Sequence, residues 1–168
     1  VIRDGVNFFA LQPGEVDSAL SFVKAGTAML TLTKENSFSG TTTLNGGTLQ
    51  LAYDADNSML SDTASLILND GILDLAGTVA HSETVLDTTI NGTVAITRST
   101  GSSTINLNAL TRNAGSLRIS EDNVATTDTL NDATGILGGW ATVGGSWATN
   151  STNGPDGFIV GLTTFSDI

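Results

Sequence analysis

Cysteine is absent from the 168 residues. Thiolate chemistry, disulfides and cysteine-based metal sites are therefore excluded. Positive charge is scarce as well: Lys and Arg number 6 against 17 Asp and Glu, for a formal net charge of −11. A field of that sign repels phosphate, so neither nucleic acid nor anionic lipid is expected as a partner. No apolar run approaches the roughly 18 residues needed to span a bilayer as a helix, and no membrane span is expected. Charged residues of both signs make up 14 %, against roughly a quarter in an ordinary soluble domain. Aromatic residues are 5 %, which counts against a carbohydrate-stacking platform. The first residue is Val1 rather than Met, which is read as a sign of a processed product or an excerpt.

What fills the space is 26 Thr, 16 Ser and 13 Asn, 55 of the 168 residues. These residues and Gly form helices poorly, because their side chains compete for backbone hydrogen bonds or lose rotamer freedom. Hydrophobic residues still make up 39 % and mean hydropathy is +0.14, more apolar surface than a disordered chain carries. The composition points to one β-rich unit with many turns.

An internal repeat gives that unit its form. Leu44-Asn45-Gly46-Gly47-Thr48-Leu49-Gln50-Leu51 returns as Leu68-Asn69-Asp70-Gly71-Ile72-Leu73-Asp74-Leu75. It returns again as Ile90-Asn91-Gly92-Thr93-Val94-Ala95-Ile96, one residue short, and as Arg112-Asn113-Ala114-Gly115-Ser116-Leu117-Arg118-Ile119. The asparagines at 45, 69, 91 and 113 are 24, 22 and 22 residues apart. A degenerate copy without the Asn runs from Lys24 to Leu32. Each copy reads as strand, turn, strand. Asn45, Gly47, Asn69, Gly71, Asn91, Asn113 and Gly115 are the structural turn residues, because Asn and Gly accept positive φ cheaply. After the turn, Leu49/Leu51, Leu73/Leu75, Val94/Ile96 and Leu117/Ile119 alternate as a one-sided strand does. Before it, Thr42/Leu44, Leu66/Leu68 and Thr88/Ile90 are expected to face inward.

A hairpin meander and a parallel β-helix both accommodate strands with turns. The meander spaces its strands by about 8–12 residues, whereas one turn recurring every 22 residues fits coils stacked about 4.8 Å apart. Scarce charge agrees, since stacked Thr, Ser and Asn bond along a column where stacked like charges would repel. The expected fold is all-β, a parallel β-helix (β-solenoid) with coils of about 22 residues. Residues 1–22 are read as an N-terminal cap or docking segment, 23–137 as the coils, and 138–168 as irregular terminal coils or a cap.

The stretch from Thr31 to Leu51 resembles the autotransporter-associated β-strand repeat of bacterial passenger domains. Asn36, Phe38, Gly40, Thr41, Thr42, Asn45, Gly47, Thr48, Leu49 and Leu51 stand where that phrase has its fixed residues. Lys34-Glu35 departs from it, placing two charges where the family carries small residues. Landmarks such as Gly135-Ile136-Leu137-Gly138-Gly139-Trp140 and Gly157-Phe158-Ile159-Val160 continue the likeness over about residues 20–168. The resemblance implies a right-handed β-helix exported to the bacterial cell surface or beyond, with no catalytic residues and no cofactor.

Candidate sites are few. His81 beside Glu83 holds the one near-neutral titrating group, but no Gly-x-Ser-x-Gly elbow accompanies it, and a surface-loop histidine is expected. Asp54, Asp56 and Asp62, near Tyr53, are a weak calcium candidate; an insertion loop between coils is the plainer reading. Arg112 near Asp87 or Glu121 would suit a polysaccharide lyase, but it occupies the column of Leu44, Leu68 and Ile90, so acid pairing or outward snorkelling is expected. Arg98 and Arg118 are the other basic residues of the middle. Phe8, Phe9, Trp140, Trp147 and Phe158 are candidates for contact with another copy or with a glycan, as is Tyr53 for sugar stacking; core or inter-copy packing is the plainer reading of Tyr53, Trp140, Trp147 and Phe158. The functional expectation is a non-enzymatic β-solenoid unit of an extracellular or cell-surface bacterial protein: stalk, adhesin segment or fibre subunit. Its partners would be copies of itself stacked end to end, adjoining repeats of a longer chain, or surface glycans. A polysaccharide-cleaving β-helix and a glycan-binding module are the alternatives.

Overall fold

The computed structural model describes residues 19–55 and 58–163. Phe8, Phe9 and Asp56 lie outside them. Sixteen strands and no helix are found among the described residues. Five of them, β1 (Phe22–Lys24), β3 (Thr42–Leu44), β5 (Leu66–Leu68), β8 (Asp87–Ile90) and β11 (Ala109–Arg112), stack in that order as one sheet. The segment after the turn builds a second face from β2 (Met29–Leu32), β4 (Thr48–Tyr53), β6 (Gly71–Gly77), β9 (Thr93–Arg98) and β12 (Ser116–Ile119). A third face begins only in the later coils, with β7 (Ser82–Thr84), β10 (Thr104–Asn106) and β13 (Ala125–Thr127). All neighbours within these three stacks run parallel. The chain is a β-solenoid of about 5 turns, repeating about every 23 residues.

The turn asparagines form one ladder along the solenoid. Nδ2 of Asn69 donates to Oδ1 of Asn45 at 2.6 Å, Asn91 to Asn69 at 2.8 Å, and Asn113 to Asn91 at 2.9 Å. An amide carries both donor and acceptor, so each asparagine bonds its copy above and below without a charge. Gly47, Gly71 and Gly115 take φ of 67°, 105° and 70° as the chain leaves the corner.

Leu44, Leu66, Leu68, Thr88 and Ile90 face inward from the first sheet, as alternation requires, and all are buried. Opposite them stand Leu49, Leu73, Ile96, Ile119 and, one strand further, Val143. The alignment of the repeat by its asparagines is corrected here: Leu73 pairs with Ile96, not Val94, and Val94 pairs with Gly71. Each later coil inserts one more residue between Asn and strand. The accumulated slip between the two alignments is two residues, so inward side chains stay inward. Val94 and Leu117 follow Gly71 in one column.

The inward column of the first sheet reads Lys24, Leu44, Leu68, Ile90, Arg112. Both ends are cationic and both turn to carbonyls. Lys24 is 5 % exposed and its Nζ donates to the carbonyls of Ala25, Gly26 and Gly46 at 2.9–3.0 Å.

The C-terminal end departs from the parallel rule. Strand β15 (Ser146–Asn150) runs antiparallel to both β14 (Ala141–Val143) and β16 (Gly157–Gly161), and β16 antiparallel to β13. They carry the second face across the end of the solenoid into the third, covering the last coil. Asn150, 2 % exposed, fixes this closure: its Nδ2 lies 2.8–3.0 Å from the carbonyls of Thr127, Thr129 and Gly154.

Candidate functional site

Side chains with acid–base chemistry converge once inside the solenoid. Alternation along β4 sends Leu49, Leu51 and Tyr53 inward, and alternation along β7 does the same for Glu83. Glu83 pairs in register with Ile105, which pairs with Ala125, so a carboxylate begins a column that is otherwise apolar. The reason lies one coil earlier, where the third face is loop instead of strand. Backbone N–H groups of Met59 and Leu60 point inward there and need an acceptor. Glu83 takes them on Oε2 at 2.9 Å and Oε1 at 3.2 Å, and Tyr53 donates its hydroxyl to Oε2 at 2.6 Å.

Burial pushes the Glu83 carboxyl above its ordinary 4.5, against the pull of those three hydrogen bonds and of His81. The Tyr53 hydroxyl is also pushed up, by burial first and the neighbouring carboxylate second. His81 stacks on Tyr53 with ring centroids 4.7 Å apart, and its Nε2 lies 3.9 Å from Glu83. His81 lies in the loop before β7, half-buried with its ring against Tyr53 rather than fully at the surface, and Tyr53, at 0 % exposure, packs in the core and presents no sugar platform. Glu83's close donors are the very groups that hold the loop at 58–60, so the cluster is a clasp on that loop.

The remaining candidates are dispersed. Asp54 and Asp62 are exposed, and among the described residues no three His, Asp or Glu converge to hold a metal. Arg112 meets neither Asp87 nor Glu121; it is exposed and its Nε donates to the Gly115 carbonyl at 2.9 Å. Arg98 pairs with Glu121 instead, at 2.8 Å, because the register places it after Leu32, Leu51 and Leu75, where the column reaches the turn. Trp140 packs against the core, whereas Trp147 and Phe158 are 41 % and 40 % exposed.

Asp74 was not singled out by its sequence setting. It lies on the outer side of β6, yet it is 6 % exposed. Its carboxylate accepts from Gln50 Nε2 at 2.8 Å, Thr97 Oγ1 at 2.6 Å and Ser99 Oγ at 2.7 Å. Thr31 Oγ1 lies 3.1 Å from Gln50 Oε1, so the strip runs from Thr31 through Gln50 and Asp74 to Thr97. The signal was a charge inside Gly71-Ile-Leu-Asp-Leu-Ala76, flanked by Gln50 and Thr97 at one repeat's distance.

The passenger-associated-transport-repeat family matches residues 22–51, the span from β1 through most of β4. The chain is also 36 % identical over 161 residues to the adhesin BmaC autotransporter of Brucella suis biovar 1 (strain 1330). That alignment takes in 90 % of this chain and 5 % of the adhesin, so the chain spans about a twentieth of that relative's length. No solved structure matches. A stacked parallel solenoid, one repeat match and a likeness over 90 % of this chain agree: residues 22–51 match the passenger-associated-transport-repeat, and the chain is similar to a segment of an autotransporter adhesin.

Proposed function

We propose that this chain is a load-carrying spacer within a secreted or cell-surface bacterial polypeptide, a stalk or adhesin segment that holds other parts away from the membrane. The observation that carries this reading is the uninterrupted stacking itself. Leu, Ile and Val columns, the Asn ladder and the backbone ladders pass from coil to coil, so each coil adds height without adding chemistry. At about 4.8 Å per coil, length is set by repeat number alone. The repeat match and the adhesin relative support a secreted or cell-surface location, and the relative's name suggests attachment as the task of the longer polypeptide. Catalysis is no part of this reading.

Deleting one period, residues 69–90, tests it. The shortened chain is expected to fold cooperatively, with a lower unfolding midpoint. Neither chain is expected to release reducing ends from uronate polymers, with or without calcium. Failure of the shortened chain to fold, or release of reducing ends by the intact one, would overturn the spacer reading. End-to-end association of copies is a separate expectation, read out by sedimentation at rising concentration.

A further inference from the structure

Arg118 stands apart among the arginines of the described solenoid. Lys24, Arg98 and Arg112 are tied to carbonyls or to Glu121, whereas Arg118, exposed on the outer side of β12, makes no hydrogen bond or ion pair to any described residue. No acid lines the recess around it, and three acids of the same coils have other partners. Glu121 takes Arg98, Asp122 accepts the Gly161 N–H at 2.7 Å, and Asp74 accepts three donors of its own.

The surroundings of this guanidinium form a recess of about 260 Å3 lined by Ala95, Thr97, Arg118, Ser120 and Thr142 and floored by the Gly144-Gly145 turn. Arg118 pairs in register with Thr142, and Thr142 with Trp147 across the antiparallel hairpin. Directly paired residues share a face, so Arg118, Thr142 and the 41 % exposed Trp147 follow one another outward, spaced about 4.8 Å per strand. A planar bidentate donor, hydroxyls and an accessible indole face thus lie within about 10 Å along one sheet surface.

We infer that this recess binds a carboxylated sugar at the end of a glycan, with Arg118 on the carboxylate, the Thr142 and Ser120 hydroxyls on the ring, and Trp147 against the next ring. Each part of the assignment follows from chemistry. The guanidinium fork matches a carboxylate, and an indole face takes the C–H side of a pyranose. The volume is below the roughly 300–1,000 Å3 of pockets for drug-sized ligands, so one ring fits and a buried chain does not. The net charge of −11 repels extended polyanions, which favours a single terminal acid. This goes beyond the spacer reading and does not depend on it.

The test is NMR titration of the 168-residue chain with 3′-sialyllactose and a glucuronate-capped disaccharide, with lactose and inorganic phosphate as controls. At least one acidic sugar is expected to shift the Arg118, Thr142 and Trp147 resonances saturably, at millimolar concentration or below. Lactose and phosphate are each expected to bind at least tenfold more weakly, and Arg118→Gln to remove the saturable shift without moving the thermal midpoint. Trp147→Ala is expected to weaken binding severalfold. Equal binding of lactose means the carboxylate is unread, and equal binding of phosphate means the ring is unread. Either result, unchanged affinity in Arg118→Gln, or no saturable shift with either acidic sugar, overturns the assignment.

Discussion

Glu83 shows how one residue can serve folding and still oppose it. Its carboxylate satisfies Tyr53, Met59 and Leu60, but burial raises its pKa above 4.5. A raised folded-state pKa means that the folded chain binds the proton more tightly than the unfolded one. The associated stability is therefore fully present below 4.5 and lost as pH rises through the folded value. Asp132 carries the opposite sign. Hydrogen bonds from the Thr134 hydroxyl and N–H hold its carboxyl below the ordinary 3.8, so its contribution is present above 3.8 and lost in stronger acid. Urea unfolding across pH 4–8 is expected to show the Glu83 slope in the wild type and its loss in Glu83→Gln. The substitution should itself cost about 1–3 kcal/mol, since an amide cannot accept all three donors. A pH slope unchanged in Glu83→Gln would assign it to another group.

At the scale of the element, the corner shared by successive coils holds the strongest local constraints. Asn91 makes two ladder bonds and Asn45 makes one. At about 0.5–1.5 kcal/mol per bond, Asn91→Ala is expected to cost about twice what Asn45→Ala costs, as read from denaturation midpoints at constant m. Gly92 adds a steric limit: a Cβ there would sit 1.7 Å from the Asn69 carbonyl oxygen, so the coils would have to part. Gly92→Ala is expected to cost more than Gly26→Ala. The latter meets nothing within 4 Å and carries only the strain of φ +75°, worth about 1–2 kcal/mol. Much of this was legible, because Asn-x-Gly followed by alternating Leu encodes corner and strand within eight residues. The slip between β6 and β9 was not, because Val94 aligns with Gly71 and Ile96 with Leu73, a pairing that spacing from Asn91 does not reveal. The clasp escaped for a similar reason: Tyr53 and Glu83 are 30 residues apart, outside any single copy. Only the missing strand at Met59 and Leu60 explains why a carboxylate belongs between them.

At the scale of the whole molecule, the two ends of the solenoid are built differently among the described residues, and stability should follow. At the C-terminal end, β14–β16 fold back across the last coil, and Asn150 anchors the closure from within. At the other end, no described strand pairs with the outer edges of β1 and β2. Leu30, in the same inward column as buried Leu49, remains 38 % exposed, and Met29 and Val23 are 62 % and 55 % exposed. In a stack where each coil touches only its neighbours, a coil with one neighbour has about half the interface of a coil with two. Opening should therefore begin at β1–β2 and stop at the coils of β4, β6 and β9, where Leu49, Leu73 and Ile96 are buried from both sides. Hydrogen exchange is expected to report this as a gradient, with amides of β2 exchanging well before those of β6, and those of β15 and β16 staying protected. Asn150→Ala should steepen the profile at the far end by leaving the Thr127 and Thr129 carbonyls without their donor, bringing β15 and β16 into early exchange while β6 stays slow. Uniform exchange across all coils would mean that the solenoid opens as one unit and that the asymmetry of its ends carries no energetic weight.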